Sequence, residues 1–148
     1  MATTRRDFLP QDQQIPNHLQ TRLGPFQNDW TKGSGIEPTN DPAYRVTQPG
    51  IYRVTGVVRW AQWRRPPDGG TVRANYRHII IKVNGEEDSE FTLPSTGNET
   101  DMRMPFSAVI ELRKNDTIEP FVFQVTGDPL KVIGGATWKT WISITKIA

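Results

Sequence analysis

The residues able to do chemistry in this 148-residue chain are few, and they do not converge on a catalytic signature. The two histidines are His18, just after Pro16-Asn17, and His78, inside Tyr76-Arg77-His78-Ile79. Neither lies near a Gly-x-Ser-x-Gly elbow or another nucleophile motif, so His78 reads as a strand-face residue and not as a general base. Cysteine is absent, which removes thiolate metal ligands, a thiol nucleophile and disulfides. Carboxylates cluster in Glu86-Glu87-Asp88-Ser89-Glu90. Oxygen ligands of this kind suit calcium, but the run lacks the spacing of a dedicated calcium loop. Its members also sit too close together to supply the two opposed walls that acid–base hydrolysis needs. The run reads as a solvated hairpin tip. These residues predict a chain with no catalytic site, no metal and no cofactor, hence not an enzyme.

A second group pairs aromatic rings with cations. Trp60, Trp63, Arg64 and Arg65, with Arg73, Arg77 and Lys82 to extend the face, have the residue types of a single-strand nucleic-acid platform. The competing reading puts Trp60 in the core and leaves Arg64 and Arg65 in water beside Trp63. The net charge of only +2 favours that reading, because nucleic-acid coats carry a strong basic field. Trp63 or Trp141 stacked on a sugar would make a glycan site, although most such rings are buried. Asn98-Glu99-Thr100 and Asn115-Asp116-Thr117 match the glycosylation pattern, which has meaning only in a secreted chain. The opening residues Met1 to Asp7 lead into no apolar leader, and no run reaches the roughly 20 apolar residues of a membrane helix. The expectation is a cytoplasmically made protein with neither nucleic-acid nor membrane partners.

The elements that would position these residues are strands. From Gly50 to Trp60 the period is two, with Tyr52, Val54, Val58 and Trp60 on one face. Tyr76 to Val83 is apolar on both faces at Ile79-Ile80-Ile81, which predicts burial on two sides, and Asn84-Gly85 turns the chain. Phe91-Thr92-Leu93 is a short strand. Phe106, Ala108, Ile110 and Leu112 alternate inward along the next, and Thr117 to Val125 and Thr137 to Ile147 complete the set. Trp30, Ile36 and Tyr44 to Val46 mark shorter strands in a turn-rich stretch over residues 21–49. No helical period appears, and strands at this spacing predict a sandwich or barrel.

Two segments carry apolar residues without an evident home. Residues 1–20 read as an extended arm, because Phe8, Leu9, Ile15 and Leu19 follow no period and Pro10, Pro16 and Pro25 prevent a helix. An arm of this kind either stays disordered or orders on a partner. The strand Thr117–Val125 places Ile118 and Val122 on one face and Phe121, Phe123 and Val125 on the other. One face of a sandwich strand meets its own core, so the other needs a cover, from a loop of the same chain or from another copy. Phe121, Phe123 and Val125 are therefore the candidate oligomer interface.

Three motifs resemble the jelly roll shared by the tumour-necrosis-factor superfamily and the globular heads of the complement recognition subunit. Gln48-Pro49-Gly50-Ile51-Tyr52-Arg53-Val54 is similar to the family's Pro-Gly-x-Tyr start of a central strand. Leu112-Arg113-Lys114-Asn115-Asp116-Thr117-Ile118 resembles its Leu-x-x-Gly-Asp-x-Val hairpin, with Asn115 in place of glycine. Trp138-Lys139-Thr140-Trp141-Ile142-Ser143-Ile144 resembles the closing strand. The resemblance spans roughly residues 20 to 148 and implies an all-β jelly-roll sandwich over residues 21–148, with homotrimers as the family's habit. Similar domains occur on secreted ligands and on bacteriophage particles. The chain shows no collagen-like stalk, leader or membrane anchor, which turns the expectation towards a virion.

The expected function is thus a structural protein of a virus particle. It would be a trimeric capsid decoration protein, held to the major capsid protein or another virion component by residues 1–20. The alternative is the receptor- or glycan-binding head of a fibre or secreted ligand.

Overall fold

The computed structural model describes residues 3–40, 43–61, 76–94, 102–135 and 139–148. Trp63, Arg64, Arg65, Arg73, Asn98 and Trp138, named above, lie outside the described residues. Thirteen strands follow in order: β1 Thr4–Phe8, β2 Gln13–Ile15, β3 Thr21–Arg22, β4 Gln27–Lys32, β5 Ile36–Pro38, β6 Tyr44–Val46 and β7 Gly50–Trp60. After them come β8 Tyr76–Val83, β9 Glu86–Pro94, β10 Met102–Leu112, β11 Thr117–Val125, β12 Leu130–Val132 and β13 Trp141–Lys146. They form two sheets. The first runs β2-β12-β7-β13-β1-β4, with β10 on the other edge of β7. The second runs β5-β6-β11-β8-β9, with β3 beside β11. The protein is an all-β sandwich of two sheets.

The alternation seen in the sequence builds the core between the sheets. Tyr52, Val54, Val58 and Trp60 of β7 and Phe106, Ala108, Ile110 and Leu112 of β10 face Ile79, Ile81, Ile118 and Val122 of the second sheet, all buried. Gly56 breaks the apolar row in β7 because a Cβ there would collide with the Trp141 carbonyl oxygen and the Phe106 ring. The hairpins follow their turn residues. Asn84 and Gly85 both adopt positive φ (53° and 83°), as a tight two-residue β-turn requires. Asn115 adopts φ 74°, the conformation that glycine ordinarily supplies, and asparagine tolerates it. Trp30, Ile36 and Tyr44 do fall on strands β4, β5 and β6. The acidic run, by contrast, is not a loop before a short strand at Phe91. Glu86 to Pro94 is one strand paired along β8, because a bulge between Ile81 and Lys82 absorbs the misfit.

The N-terminal segment corrects a larger expectation. The expected arm over residues 1–20 is, through its described residues 3–20, part of the domain. Strand β1 lies inside the first sheet, pairing β13 from Thr4↔Thr145 to Phe8↔Trp141 on one side and β4 on the other. Leu9 and Ile15 are buried in the core, Phe8 is half-buried, and only Leu19 is left out, at 56% exposure. β2 pairs β12 at Ile15↔Leu130, and the Gly135 amide donates to the Leu9 carbonyl at 2.8 Å. Gly134 lets this happen, since a Cβ there would strike the Gln11 and Leu9 carbonyl oxygens.

The sequence hides β1 because its inward residue is an acid. The Asp7 carboxylate is buried and accepts from the Tyr44 hydroxyl at 2.8 Å, Asn28 Nδ2 at 2.9 Å and Arg5 Nε at 3.1 Å. Tyr44 belongs to the opposite sheet, so this cluster bridges the sandwich. Its burial, then the Asp7 charge and the hydrogen bond to it, hold the Tyr44 phenol well above its ordinary pKa of 10.0.

Two outcomes follow. Deleting residues 1–12 removes a central strand and should abolish the cooperative urea transition, while Ile15→Ala should cost about 2–5 kcal/mol in the same measurement. The protonated Tyr44 phenol is favoured by the fold, so its contribution is intact below the unfolded value of 10.0 and is lost as pH rises above it. Urea midpoints should therefore fall on the alkaline side, and Tyr44→Phe should flatten that fall.

Candidate functional site

The outward face of β11 carries Glu119, Phe121, Phe123 and Val125, the face singled out from its pattern. Own-chain side chains frame each ring. Lys82 Nζ lies 4.0 Å from the Phe121 ring centroid, and the Arg22 guanidinium carbon lies 5.5 Å from it. Arg22 also pairs with Glu119 at 2.6 Å. Around Phe123 stand His18 and His78, edge-on at 5.9 Å and 5.7 Å, with Tyr76 tilted at 6.4 Å. Val125 is buried at the end of the strand, and Phe121 and Phe123 keep partial exposure. The segment before β3 supplies part of this cover, fixed by the His18 amide donating to the Gln124 carbonyl at 3.0 Å.

Beside this cluster is a groove of about 210 Å³ lined by Gln20, Tyr76, His78, Ile80, Glu87, Glu90 and Phe123. His78 Nδ1 lies 2.5 Å from Glu90 Oε1 and 3.0 Å from the Thr92 hydroxyl. Both contacts fall on the same ring nitrogen. A carboxylate–imidazole–hydroxyl relay needs the two opposite nitrogens, so this trio does not activate Thr92. Along β9 the bulge leaves Glu87 and Glu90 lining the same groove, opposite Lys82 and Ile80 in register. Among the described residues no group of three or more metal-ligating side chains comes together.

The first sheet has a different outward face. Trp141 sits across from Val57 in register, with the Arg6 guanidinium 4.5 Å above the indole. Val57, Trp141, Pro105, Ser107 and Thr55 of this face line a shallow, mainly apolar groove of about 480 Å³ together with Gly56, the core residue Phe106, and Phe91 of β9 in the second sheet. Further along, Ile51 on β7, Val109 on β10 and Ile147 after β13 are exposed to 39%, 60% and 43%. Trp30 on β4, opposite Arg6, is exposed to 43%. Four of the five large exposed apolar side chains among the described residues therefore belong to one sheet, the fifth being Leu19. Period two along Thr137 to Ile147 puts Trp141 and Ile147 on a common face, but it gives no reason to rank that face above Phe121 and Phe123.

Buried polar residues were the part that pattern reasoning missed. Arg77 is fully buried, its guanidinium carbon 5.9 Å from the Trp60 ring, and burial lowers its pKa. Trp60 is itself a core residue, so it offers no platform for a base. Gln124 is fully buried too, and its Nε2 donates to the carbonyls of Ile15 at 3.1 Å and Asp128 at 2.8 Å.

Known proteins were compared on sequence and on structure. No protein-family model matches the sequence, and no curated protein does. Solved structures do match. Eiger TNF from S. frugiperda superposes with a TM-score of 0.67 at 13% identity, covering 100% of this chain and 92% of its own. Murine APRIL gives 0.65 at 12% identity, covering 99% of this chain and 100% of its own. Pika GITRL gives 0.53 at 16% identity, covering 99% and 96%. The chain has a TNF-like jelly-roll fold. At these identities the likeness is one of fold, and the site residues have to be read from this chain alone.

The two faces make different predictions. Phe123 is framed by own-chain rings, so Phe123→Ala should lower stability by about 1–3 kcal/mol in urea unfolding. It should leave the mass measured by light scattering unchanged, whereas an interface residue would alter it.

Proposed function

We propose that this chain is a non-catalytic, homotrimeric assembly module. Its copies meet through the outward face of the sheet that holds β7, β10 and β13. The observation carrying this reading is the concentration of exposed apolar side chains there, with Ile51, Val109 and Ile147 at one end and the Val57–Trp141 groove at the other. Large exposed apolar side chains gathered on one face are a mark of protein association. Burying each side chain fully contributes about 1.5–3 kcal/mol. Arg53 and Glu111, exposed opposite Val109 and Ile51 in register, put both signs of charge within that face. Phe121, Phe123 and Val125, the first candidates for the interface, have own-chain neighbours and fit the role less well. The three-fold state rests on the resemblance in sequence motifs and on the likeness of fold.

The setting we propose is a virus particle, with the trimer as a structural or decoration protein on the major capsid protein or another virion component. With β1 and β2 built into the sandwich, attachment would fall to the surface of the jelly roll itself. The second reading, a receptor- or ligand-type binding head, is supported by the fold it shares with Eiger TNF, APRIL and GITRL.

Light scattering should give three times the chain mass at micromolar concentration. Val109→Glu should yield a folded monomer, because Val109 is mostly solvent-exposed within the protomer and a buried unpaired charge would break the interface. A trimer untouched by Val109→Glu would overturn the assignment of the face. Mass spectrometry of purified particles, showing stoichiometric copies or none, separates the virion setting from the binding head.

A further inference from the structure

We infer that the groove beside Phe123 is a binding site for a quaternary ammonium group of the choline type. Its walls are the rings of Tyr76, His78 and Phe123, its floor is Ile80, and its rim holds Glu87, Glu90 and Gln20. The rings form one cluster: Tyr76 and His78 are perpendicular at 4.8 Å, and each contacts Phe123. Ring faces attract cations, and the two carboxylates at the rim add a field of the same preference. The apolar floor suits methyl groups more than water. At about 210 Å³ the groove has room for a trimethylammonium head and a short stem.

The state of the carboxylates chooses among cations. Gln20 Nε2 donates to Glu87 Oε1 at 2.7 Å, and His78 Nδ1 meets Glu90 Oε1 at 2.5 Å. A primary ammonium brings three N–H donors and a tightly held hydration shell, which acceptors in the site would have to replace. Here one oxygen of each carboxylate is already engaged. A quaternary ammonium has no donor to satisfy and needs only ring faces and negative potential. Lys82, the nearest cation in register, has its ammonium over Phe121, the next ring along β11. The groove lies on the opposite sheet from the proposed self-association face, so the two assignments stand or fall separately.

The test is a titration of the full chain, labelled at isoleucine methyls, with choline chloride. Two controls are 3,3-dimethylbutanol, the neutral isostere of the same shape, and lysine methyl ester. Choline should saturate with a dissociation constant on the order of 1 mM, shifting the Ile80 methyl. The isostere and the lysine ester should each bind at least about threefold more weakly, and Phe123→Leu and Glu90→Gln should each weaken choline by about three- to fivefold. Glu90 is half-exposed at the rim, so Glu90→Gln reads the site even if Phe123→Leu disturbs the fold. No saturable shift at Ile80, equal binding of the isostere, tighter binding of the lysine ester, or full affinity in Glu90→Gln would each overturn the assignment.

Discussion

The sandwich is pinned by one buried carboxylate. Asp7 enters the core from the first sheet and takes a hydrogen bond from Tyr44 of the second, with Asn28 and Arg5 occupying its remaining acceptor sites. A carboxylate left unpaired in that position would cost several kcal/mol, so the four groups are placed together or not at all. Their placement fixes the register of β1 against β4. It also fixes where β6 lies across the sandwich. Arg5 reinforces it from above the Tyr44 ring at 5.8 Å, and Phe26 packs on the same ring at 6.4 Å. Apolar packing alone tolerates a slide of one strand along another, whereas this directional cluster does not.

The two outer faces divide the work of meeting other molecules. On the second sheet, each ring of β11 has been given own-chain company, cations for Phe121 and rings for Phe123. What is left open is a small concave site with a negative rim. On the first sheet, aliphatic side chains at Ile51, Val109 and Ile147 stand in solvent with no such company. A flat apolar face and a narrow aromatic groove call for different occupants. The first matches a large complementary surface, the second a single small group.

Period-two alternation made most of the fold legible in the sequence. β7, β10 and β11 have clean apolar rows, and the Asn84-Gly85 and Asn115 turns announce their hairpins. β1 was illegible for a definite reason: its core-facing position is Asp7, and hydropathy cannot foresee that Tyr44 and Asn28 will satisfy it. Arg77 and Gln124 escaped notice in the same way, as polar residues buried at strand positions. The candidate sites were half legible. The two-sided character of β11 was plain, but whether the same chain would cover its outer face depended on His18 and Arg22, which lie about a hundred residues earlier. The exposed trio Ile51, Val109 and Ile147 comes from two strands and the residue after a third, and acquires meaning only when the sheet is assembled.

The pairing of β1 with β13 also orders events in time. Thr4 lies opposite Thr145, so a central position in the first sheet is filled by residues far apart in the sequence. A ribosome delivers the first of these strands long before the last. Until β13 emerges, β1 has only β4 to hold it on that sheet, and the exposed edge of β7 awaits its partner. Loop closure of this length must precede the contacts that reward it, which slows folding and lengthens the life of unpaired edges. The nascent chain is consequently most vulnerable to mispairing with its neighbours until β13 has emerged.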